Sequence, residues 1–524
     1  MTVRSLCGLI LAGYSLVAHS ADLRLILRNG NVVDGSGRPA FKSDIGIGSG
    51  GRIELIATKI DSSTEREIDL RGLTVAPGFI DVHTHAENIA NFPGATNFLR
   101  MGVTTLVLGN CGASKTDVAA FFKQLESQTI TPNVATLIGH NSVRLRAMKG
   151  SFMRPPTEHE MDHMRLLVDQ AMRDGAVGLS TGLIYLPGTF AKTDEIVSLA
   201  RVVGHHGGIY VSHMRSEGDK ILAAVDELLQ IASDAGIPAH VSHIKASGRN
   251  NWNRSTEILA ALDGARKRGL FITQDHYKYT ASSTGISSII PQEYRAGTRA
   301  QFRERIADPE FRARLVKHLK KLLSERNEPD YSYAVIASWS TDRSLDGLRI
   351  PAAAKKHLGS DSLDSQIDLI LKIHAAGGAS GVYHKMIEDD LVKFEANPFT
   401  MFASDSSIRK LNSGVPHPRG YGNAARVLAR YVRAKKSIDL AEAIRRMTNL
   451  PARTFQLKDR GAIRIGNWAD LVVFDPEKVQ DNATFESPHQ YATGFNYVFV
   501  NGELVIKSDK HLGPRPGRTL RRNQ

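Results

Sequence analysis

The sequence contains very little cysteine: of its 524 residues, only Cys7 and Cys111 carry a thiol. A chain of this length buries roughly three quarters of its unfolded surface on folding, so a large core is available without disulfides. The residues are 42% hydrophobic and 23% charged, which is the balance of an ordinary globular protein. This composition excludes a disordered chain, a fibrous repeat and a low-complexity scaffold.

The chain also lacks a hydrophobic run long enough to anchor it comfortably in a membrane. Residues 1–21 contain one basic residue, then a short apolar run, then small residues. This is the pattern of a signal peptide, and it predicts export, to the periplasm, with cleavage near Ser20 or Ala21. Cleavage removes Cys7 and leaves Cys111 as the single thiol in an oxidising compartment. Cys111 is then either a buried, inert small hydrophobe or a reactive group such as a metal ligand.

Purely basic stretches are rare although the formal net charge is +13. Acidic residues are interleaved with basic ones in predicted helical segments such as residues 302–326. The purely basic cluster is confined to residues 515–522. Interleaved charge indicates a solvated surface, so nucleic-acid and membrane binding are not expected. The positive balance is nevertheless suited to anionic substrates.

The two ends of the chain share a sequence pattern of short alternating strands and glycine-rich turns. The pattern is found in residues 22–75 and again in residues 456–524, and it predicts a small β-sandwich domain built from both ends. Between them, residues 76–455 alternate apolar strands with helical stretches, the pattern of a parallel α/β protein. The predicted strands cover residues 78–85, 103–112, 133–140, 175–182, 207–215, 237–245, 270–279 and 398–405. Eight such units predict a (β/α)8 TIM barrel, with an insertion at residues 281–397 before the last strand.

Potential metal ligands follow the ends of these strands, where the active site of such a barrel lies. They are His83, His85, Cys111, His213, His243 and Asp405. Taken singly, each histidine has a structural alternative, and Asp405 is also a candidate helix N-cap. As a set they indicate a metal site, because alternate residues of a strand point to one side and zinc accepts N, S and O ligands.

Several segments resemble a known family. The metal-dependent amidohydrolases are suggested by APGFIDVHTH (residues 76–85) and the flanking strands. The N-acyl-D-amino-acid deacylases, or D-aminoacylases, are suggested more narrowly by GNCG (109–112), STGLIYLPGTFA (180–191), SHMR (212–215), HVSHIK (240–245), YTASSTG (279–285), ASD (403–405) and HPRGYG (417–422). The resemblance covers nearly the whole chain after residue 21.

The resemblance implies a ligand set. Other amidohydrolases typically use a carboxylated lysine after strand four, but GAVGLSTG (residues 175–182) contains no lysine. The D-aminoacylases use a cysteine after strand two, where Cys111 stands, and zinc would keep that thiol occupied. A tight zinc would be held by Cys111, His213 and His243. A second, weaker site would lie near His83, His85 and Asp405.

The resemblance also implies the reaction and its residues. It predicts zinc-dependent hydrolysis of N-acyl-D-amino acids by metal-activated water, with Asp405 as general base and Tyr185 as a hydroxyl donor to the oxyanion. The substrate's α-carboxylate would bind Lys245, Tyr277 and Arg419, although the last two also suit a packing role at the barrel rim.

Two places depart from the family pattern and leave the side-chain preference open. Lys278 stands where a proline is common, and Ser406 stands where a glycine often follows the aspartate. The insertion also carries Arg295 and Arg299, which suit either an acidic substrate side chain or the protein surface. Two alternatives to the main prediction stay open. One is a related amidohydrolase acting on cyclic amides or D-dipeptides, and the other is a non-catalytic scaffold that kept the barrel.

Overall fold

The computed structural model describes residues 22–64, 66–150 and 152–522. The predicted signal peptide, residues 1–21, lies outside these residues, so export stays a prediction. None of the helices in the described ranges combines the length and the hydropathy that a membrane span requires.

The first described segment is a run of β-strands. They are β1 (Leu23–Val32), β2 (Phe41–Gly48), β3 (Ile53–Ala57), β4 (Glu67–Asp69) and β5 (Thr74–Pro77). β1 and β2 pair antiparallel through a turn that contains Gly35 and Gly37, both at positive φ, where glycine is unstrained. This part of the chain therefore forms the expected small β-unit.

Alternating strands and helices follow. The strands are β6 (Phe79–Asp81), β7 (Val103–Leu108), β8 (Asn133–Thr136), β9 (Ile138–Gly139), β10 (Gly178–Gly182), β11 (Ile209–His213), β12 (Ala239–Val241) and β13 (Ile272–His276). The helices are α1 (Thr96–Leu99), α2 (Val118–Gln128), α3 (His140–Met148), α4 (Glu158–Arg173), α5 (Thr193–His205), α6 (Ile221–Ala235) and α7 (Ser255–Lys267). Every residue of β7 is buried, as expected of parallel strands that are covered on both faces.

The predicted insertion has a sheet and an apolar core of its own. Its elements are β14 (Ser282–Gly285), α8 (Gln292–Arg295), α9 (Arg299–Ala307), α10 (Pro309–Glu325), β15 (Ala334–Ser338), α11 (Ile350–Leu358), α12 (Leu363–Ala375), β16 (Ser380–Tyr383) and α13 (Glu388–Ala396). β16 lies between β14 and β15 in an antiparallel sheet. The helices pack on it around buried residues such as Phe302, Leu319 and Ile370.

The chain then returns to the barrel and to the first sheet. The remaining elements are β17 (Thr400–Phe402), α14 (Arg419–Arg426), a π-helix (Val427–Ala434), α15 (Leu440–Met447), α16 (Asn449–Thr454), β18 (Leu471–Phe474), β19 (Phe495–Val500), β20 (Glu503–Lys507) and β21 (Lys510–His511). All eight predicted barrel strands contain an observed strand, and the third contains both β8 and β9.

The parallel strands form a ring. One sheet has the order β17-β13-β12-β11-β10-β9 and the other the order β6-β7-β8. The two sheets meet where β8 runs into β9 along the chain. A parallel bridge between Thr84 and Ser406 joins the first strand to the last. The Asp405 backbone N–H also donates to the His83 carbonyl at 2.9 Å. The TIM-barrel prediction is confirmed.

Strands from both chain ends share one nine-stranded sheet in the order β21-β20-β19-β18-β5-β1-β2-β3, with β4 paired to β1. Alternate residues of β18 pack into two different apolar cores, because successive side chains of a strand point to opposite faces of the sheet. Leu471 and Val473 join an apolar cluster drawn from both ends, whereas Val472 and Phe474 pack with the barrel core. The sheet therefore covers the barrel and encloses a core of its own.

A buried polar network joins this sheet to the barrel. Asp470 forms an ion pair with Arg460 and accepts hydrogen bonds from Asn133 Nδ2 at 3.2 Å and the Asn501 N–H at 2.8 Å. Asn501 Nδ2 in turn donates to Asn133 Oδ1 at 2.8 Å. These groups are buried, so removing one charge leaves the other without compensation.

Replacing Asp470 by asparagine is therefore expected to lower the free energy of unfolding by about 3 to 5 kcal/mol. Urea unfolding followed by fluorescence measures this change. Asp459→Asn is the matched control, because Asp459 pairs with Arg52 on the surface and its loss should cost about 0 to 1 kcal/mol. Equal effects of the two variants would contradict the structural role of the network.

Candidate metal centre and its cavity

The ends of the parallel strands bring the predicted ligands together. His83 and His85 follow β6, Cys111 follows β7, His213 ends β11 and His243 follows β12. Asp405 follows β17, which lies beside the first strand in the ring. Because all these strands run in one direction, the residues after them meet at one mouth of the barrel.

The Cys111 thiol lies at the centre of the histidines. Its Sγ is 3.3 Å from His83 Nε2, 3.6 Å from His213 Nδ1 and 3.6 Å from His243 Nε2. All four side chains are buried. The thiol thus faces three imidazole nitrogens at once, an arrangement that an inert core cysteine does not require.

Asp405 closes the second group of ligand atoms. Its Oδ1 lies 3.2 Å from His85 Nε2 and 3.6 Å from His83 Nε2, and its Oδ2 lies 2.8 Å from Arg419 Nη1. The next helix, α14, begins only at Arg419, so Asp405 does not cap a helix. His83 belongs to both groups, so the two candidate sites are adjacent.

Three of these residues have left-handed backbone conformations. The φ angles are 54° at Cys111, 34° at His243 and 49° at Asp405. Such angles are unfavourable for residues other than glycine, and they persist only where the surrounding structure imposes them. Here they direct the side chains after each strand towards the barrel axis.

Two carboxylates that the sequence reasoning missed support the ligands from outside. Glu217 Oε1 lies 2.8 Å from His243 Nδ1 and also pairs with Lys245. Asp275 Oδ2 lies 3.4 Å from His83 Nδ1, and its Oδ1 accepts from the His243 backbone N–H at 3.0 Å. A carboxylate on the far nitrogen orients an imidazole so that the near nitrogen can bind a metal.

Weak sequence signals existed for both carboxylates. Glu217 stands four residues after His213, and Asp275 is an acidic residue within the fully buried strand β13. Neither pattern alone predicts a contact with a ligand.

The ionisation of the centre favours a bound cation. Burial, reinforced by the charge of Asp405, raises the pKa of the Cys111 thiol well above its usual value. Burial lowers the pKa of His83 to about 4 and that of His213 well below its usual value. Despite burial, Arg419 and His83 lower the pKa of Asp405. Neutral imidazoles and an ionised carboxylate are ready to bind a metal, and the metal would displace the thiol proton.

A cavity of about 260 Å3 opens above the centre. The predicted substrate residues Tyr185, Lys245, Tyr277 and Arg419 all line it. The Tyr185 hydroxyl lies 3.2 Å from Thr284 Oγ1 of the insertion, and the Arg419 guanidinium carbon lies 4.4 Å from the centre of the Tyr277 ring. The structure therefore brings every predicted site residue to one place, while their roles stay predictions.

Several other histidines lie outside the two groups of ligand atoms. His140 Nε2 lies 2.8 Å from Glu195, and His206 Nε2 lies 2.8 Å from Asp169. His417 Nε2 is 2.8 Å from the Ala281 carbonyl, and the His384 ring packs on a phenylalanine. His276 is buried away from the cavity lining.

The two departures from the family pattern have structural consequences. The buried Lys278 pairs with Glu395 of α13 at 2.6 Å, and burial lowers the pKa of this lysine to about 8. Ser406 forms the bridge to Thr84 and begins a segment that carries Arg409 into the cavity lining. Arg409 was not among the predicted site residues.

Comparison with known proteins gives a consistent result. The chain matches the Amidohydrolase family over residues 66–321 and 395–506. It is 34% identical to an N-acyl-D-glutamate deacylase and 33% identical to a D-aminoacylase, both from Alcaligenes xylosoxydans xylosoxydans. Each alignment covers 96% of this chain, with 97% of the first relative and 98% of the second.

Solved structures agree with the sequence relatives. An N-acyl-D-glutamate deacylase from Bordetella bronchiseptica, complexed with zinc and a phosphonate inhibitor, is 32% identical, with a TM-score of 0.82. That alignment covers 95% of this chain and 100% of the other. A D-hydantoinase from Thermus sp. covers 95% of this chain and 99% of its own length, with a TM-score of 0.56 and 15% identity, which shows the shared fold alone.

Proposed function

We propose that this chain, a member of the amidohydrolase family, is a zinc-dependent hydrolase. It would convert N-acyl-D-amino acids to a carboxylate and a free D-amino acid. The observation that carries the proposal is the Cys111 thiol, which faces three buried imidazole nitrogens. The fourth barrel strand, residues 175–182, contains no lysine that could take its place. The N-acyl-D-glutamate deacylase and D-aminoacylase relatives support the same reaction.

The donor set fits zinc. Cys111, His213 and His243 would hold the tight ion, since the Cys111 Sγ lies 3.6 Å from a nitrogen of each histidine. His83, His85 and Asp405 would form the weaker second site. Zinc takes thiolate, imidazole and carboxylate ligands and keeps an open position for water in catalytic sites. When bound, it would supply Lewis-acid polarisation of the scissile carbonyl and lower the pKa of water.

The protein's own groups have distinct roles in this proposal. Asp405 would take a proton from the attacking water and return it to the departing amine. The Tyr185 hydroxyl would donate to the developing oxyanion. Burial raises the pKa of Tyr185 well above its usual value, so this hydroxyl keeps its proton. Donation to the oxyanion replaces its contact with Thr284.

The α-carboxylate of the substrate would be held by Lys245, Tyr277 and Arg419. These residues are buried side by side, with the Lys245 ammonium 5.7 Å and the Arg419 guanidinium 4.4 Å from the centre of the Tyr277 ring. An arginine suits a planar carboxylate because its N–H groups form a matching fork. Binding this carboxylate would hold the scissile amide nitrogen at a fixed position relative to Asp405, which returns the proton to it.

The proposal is tested by supplying the zinc-loaded protein with paired N-acetyl-D- and N-acetyl-L-amino acids of methionine, leucine, glutamate and aspartate. Free amine is expected from the D series, and chelator treatment should abolish it. Release from the L series alone would contradict the proposal. Turnover of a hydantoin or a D-dipeptide, with none of the acetyl substrates, would favour the related amidohydrolase.

A non-catalytic scaffold would be favoured by a protein that retains no metal after purification without chelators. The intact set of ligand atoms around Cys111 argues against it, because a scaffold does not need them.

The proposed setting is an exported one. Its support is the sequence of residues 1–21, and fractionation of cells that express the full chain would test it. Recovery of the activity from the cytoplasm with residues 1–21 still attached would contradict export.

A further inference from the structure

Arg409 lies in the wall of the cavity, four residues after Asp405. Its backbone N–H donates to Asn97 Oδ1 at 3.2 Å, and its Nε donates to Ser406 Oγ at 3.3 Å. Gly420 makes room for it, since a Cβ there would lie 3.2 Å from Arg409 Cγ. The side chain is therefore held in place from its backbone to its Nε.

The charges that line the cavity leave this guanidinium without an acidic partner. Lys245 pairs with Glu217, and Arg419 lies 2.8 Å from Asp405 Oδ2. Within the described residues, Arg409 forms no salt bridge, and neither of its terminal nitrogens makes a hydrogen bond. A half-buried guanidinium with two unpaired terminal nitrogens can bind an anion through both of them.

The surroundings of Arg409 penalise its isolated charge. Burial, together with the positive charge of Arg419, lowers the pKa of Arg409 to about 10. An anionic ligand group beside it would remove that penalty, because an opposite charge favours the charged form.

We propose that Arg409 determines substrate specificity by binding a second carboxylate of the substrate. The inference rests on the proposed function, in which Lys245, Tyr277 and Arg419 take the α-carboxylate. A substrate with one carboxylate would leave the Arg409 guanidinium unpaired in the cavity, whereas a diacid would pair with both arginines. The preferred substrate class is therefore the N-acyl-D-amino acids that carry two carboxylates.

The second carboxylate has two possible sources, which the test separates. It belongs either to an acidic side chain, as in N-acetyl-D-glutamate and N-acetyl-D-aspartate, or to the acyl group, as in N-succinyl-D-methionine. N-acetyl-D-methionine is the substrate with one carboxylate. kcat/KM is measured on all four with the wild type and with Arg409→Gln, Arg409→Lys, Lys410→Gln and Arg295→Gln.

The wild type is expected to prefer at least one diacid over N-acetyl-D-methionine. Arg409→Gln should lower kcat/KM for that diacid by about 10²-fold and change the value for N-acetyl-D-methionine by less than about threefold. The kcat/KM of Arg409→Lys for the diacid should lie between those of the wild type and Arg409→Gln, because an ammonium keeps the charge but not the planar arrangement of N–H donors. Lys410→Gln removes the same charge from the exposed neighbouring residue and should match the wild type.

Equal losses of kcat/KM on all four substrates in Arg409→Gln would overturn the proposal. It would also be overturned if Arg295→Gln lost kcat/KM only on the diacids while Arg409→Gln kept the wild-type values. If the zinc-loaded wild type hydrolyses none of the four, the proposed function fails instead. Thermal stabilisation of the protein by N-acetyl-D-glutamate then tests Arg409 separately. That stabilisation should exceed the one given by N-acetyl-D-methionine and should disappear in Arg409→Gln; equal stabilisation of both proteins would overturn the inference.

Discussion

Replacing Asp405 by asparagine is expected to lower kcat by about 10²- to 10⁴-fold, the range that a positioned acid or base contributes. Asparagine keeps the size of the side chain but cannot accept and return the proton. It also tolerates the left-handed conformation at this position better than most residues, so the backbone should be preserved.

The same variant should keep its tight zinc. Asp405 belongs to the group with His83 and His85. The proposal assigns the tight site instead to Cys111, His213 and His243. Steady-state kinetics and metal analysis on one preparation therefore separate a lost base from a lost metal. An unchanged KM would place the effect in the chemical step.

Asp117→Asn is the matched control for Asp405→Asn. Asp117 caps α2 by accepting from the Ala120 N–H at 2.9 Å, and asparagine caps a helix about as well. This control should retain wild-type kcat and zinc. Full activity in purified Asp405→Asn would exclude Asp405 as the base, and an equal loss of tight zinc would assign it to metal binding.

The barrel was predictable because its strands carry a strong local signal. β7 and its parallel neighbours are short, fully buried apolar runs, and a histidine, a cysteine or an aspartate that follows such a run lies at the barrel mouth whatever the loop conformation. Convergence of Cys111, His213 and Asp405 thus follows from topology. The resemblance to the D-aminoacylases supplied the division into two metal sites and the substrate.

The supporting residues were not predictable in the same way. Glu217 reaches His243 only because the segment after β11 turns back over the centre, and Arg409 reaches the cavity only through the loop between Asp405 and α14. Such contacts depend on loop conformation and on space made by distant residues such as Gly420, for which sequence periodicity carries no signal.

The arrangement of the end strands shows a similar limit. The sequence predicted short strands at both chain ends, and β1 and β18 are among the strands found there. Alternation specifies a buried face but not the strand partner. The pairing of β5 with β18, which joins the two chain ends in one sheet, depends on the barrel between them and is set only when the whole chain folds.

Replacing Cys111 by alanine is expected to remove most of the bound zinc and to lower kcat/KM by more than about 10²-fold. Loss of an outer-shell partner alone costs about 10- to 100-fold in metal affinity or activity, and Cys111 is assigned as a direct ligand. Its Sγ faces nitrogens of both candidate sites, so no other single side chain of the centre should have a wider effect on metal binding.

Metal analysis after dialysis against a defined zinc concentration measures the loss directly, and zinc-dependent thermal stability provides a second readout. A ligand that binds only the folded protein stabilises it by about 2.7 kcal/mol at a concentration 100 times its Kd. Zinc should therefore raise the Tm of the wild type and leave that of Cys111→Ala nearly unchanged. Cys111→Ser should behave like alanine, because a hydroxyl is a much poorer zinc ligand than a thiolate.

Val107→Ala is the matched control for the loss of buried volume. Val107 is buried in β7, four residues before Cys111, so its truncation lowers stability through a cavity while leaving the ligand atoms in place. This control should bind zinc like the wild type and remain active at moderate temperature. If Cys111→Ala behaves like Val107→Ala, with full zinc and activity and only a lower Tm, then Cys111 is an inert core residue. The three imidazoles around it would in that case have to bind the metal without it.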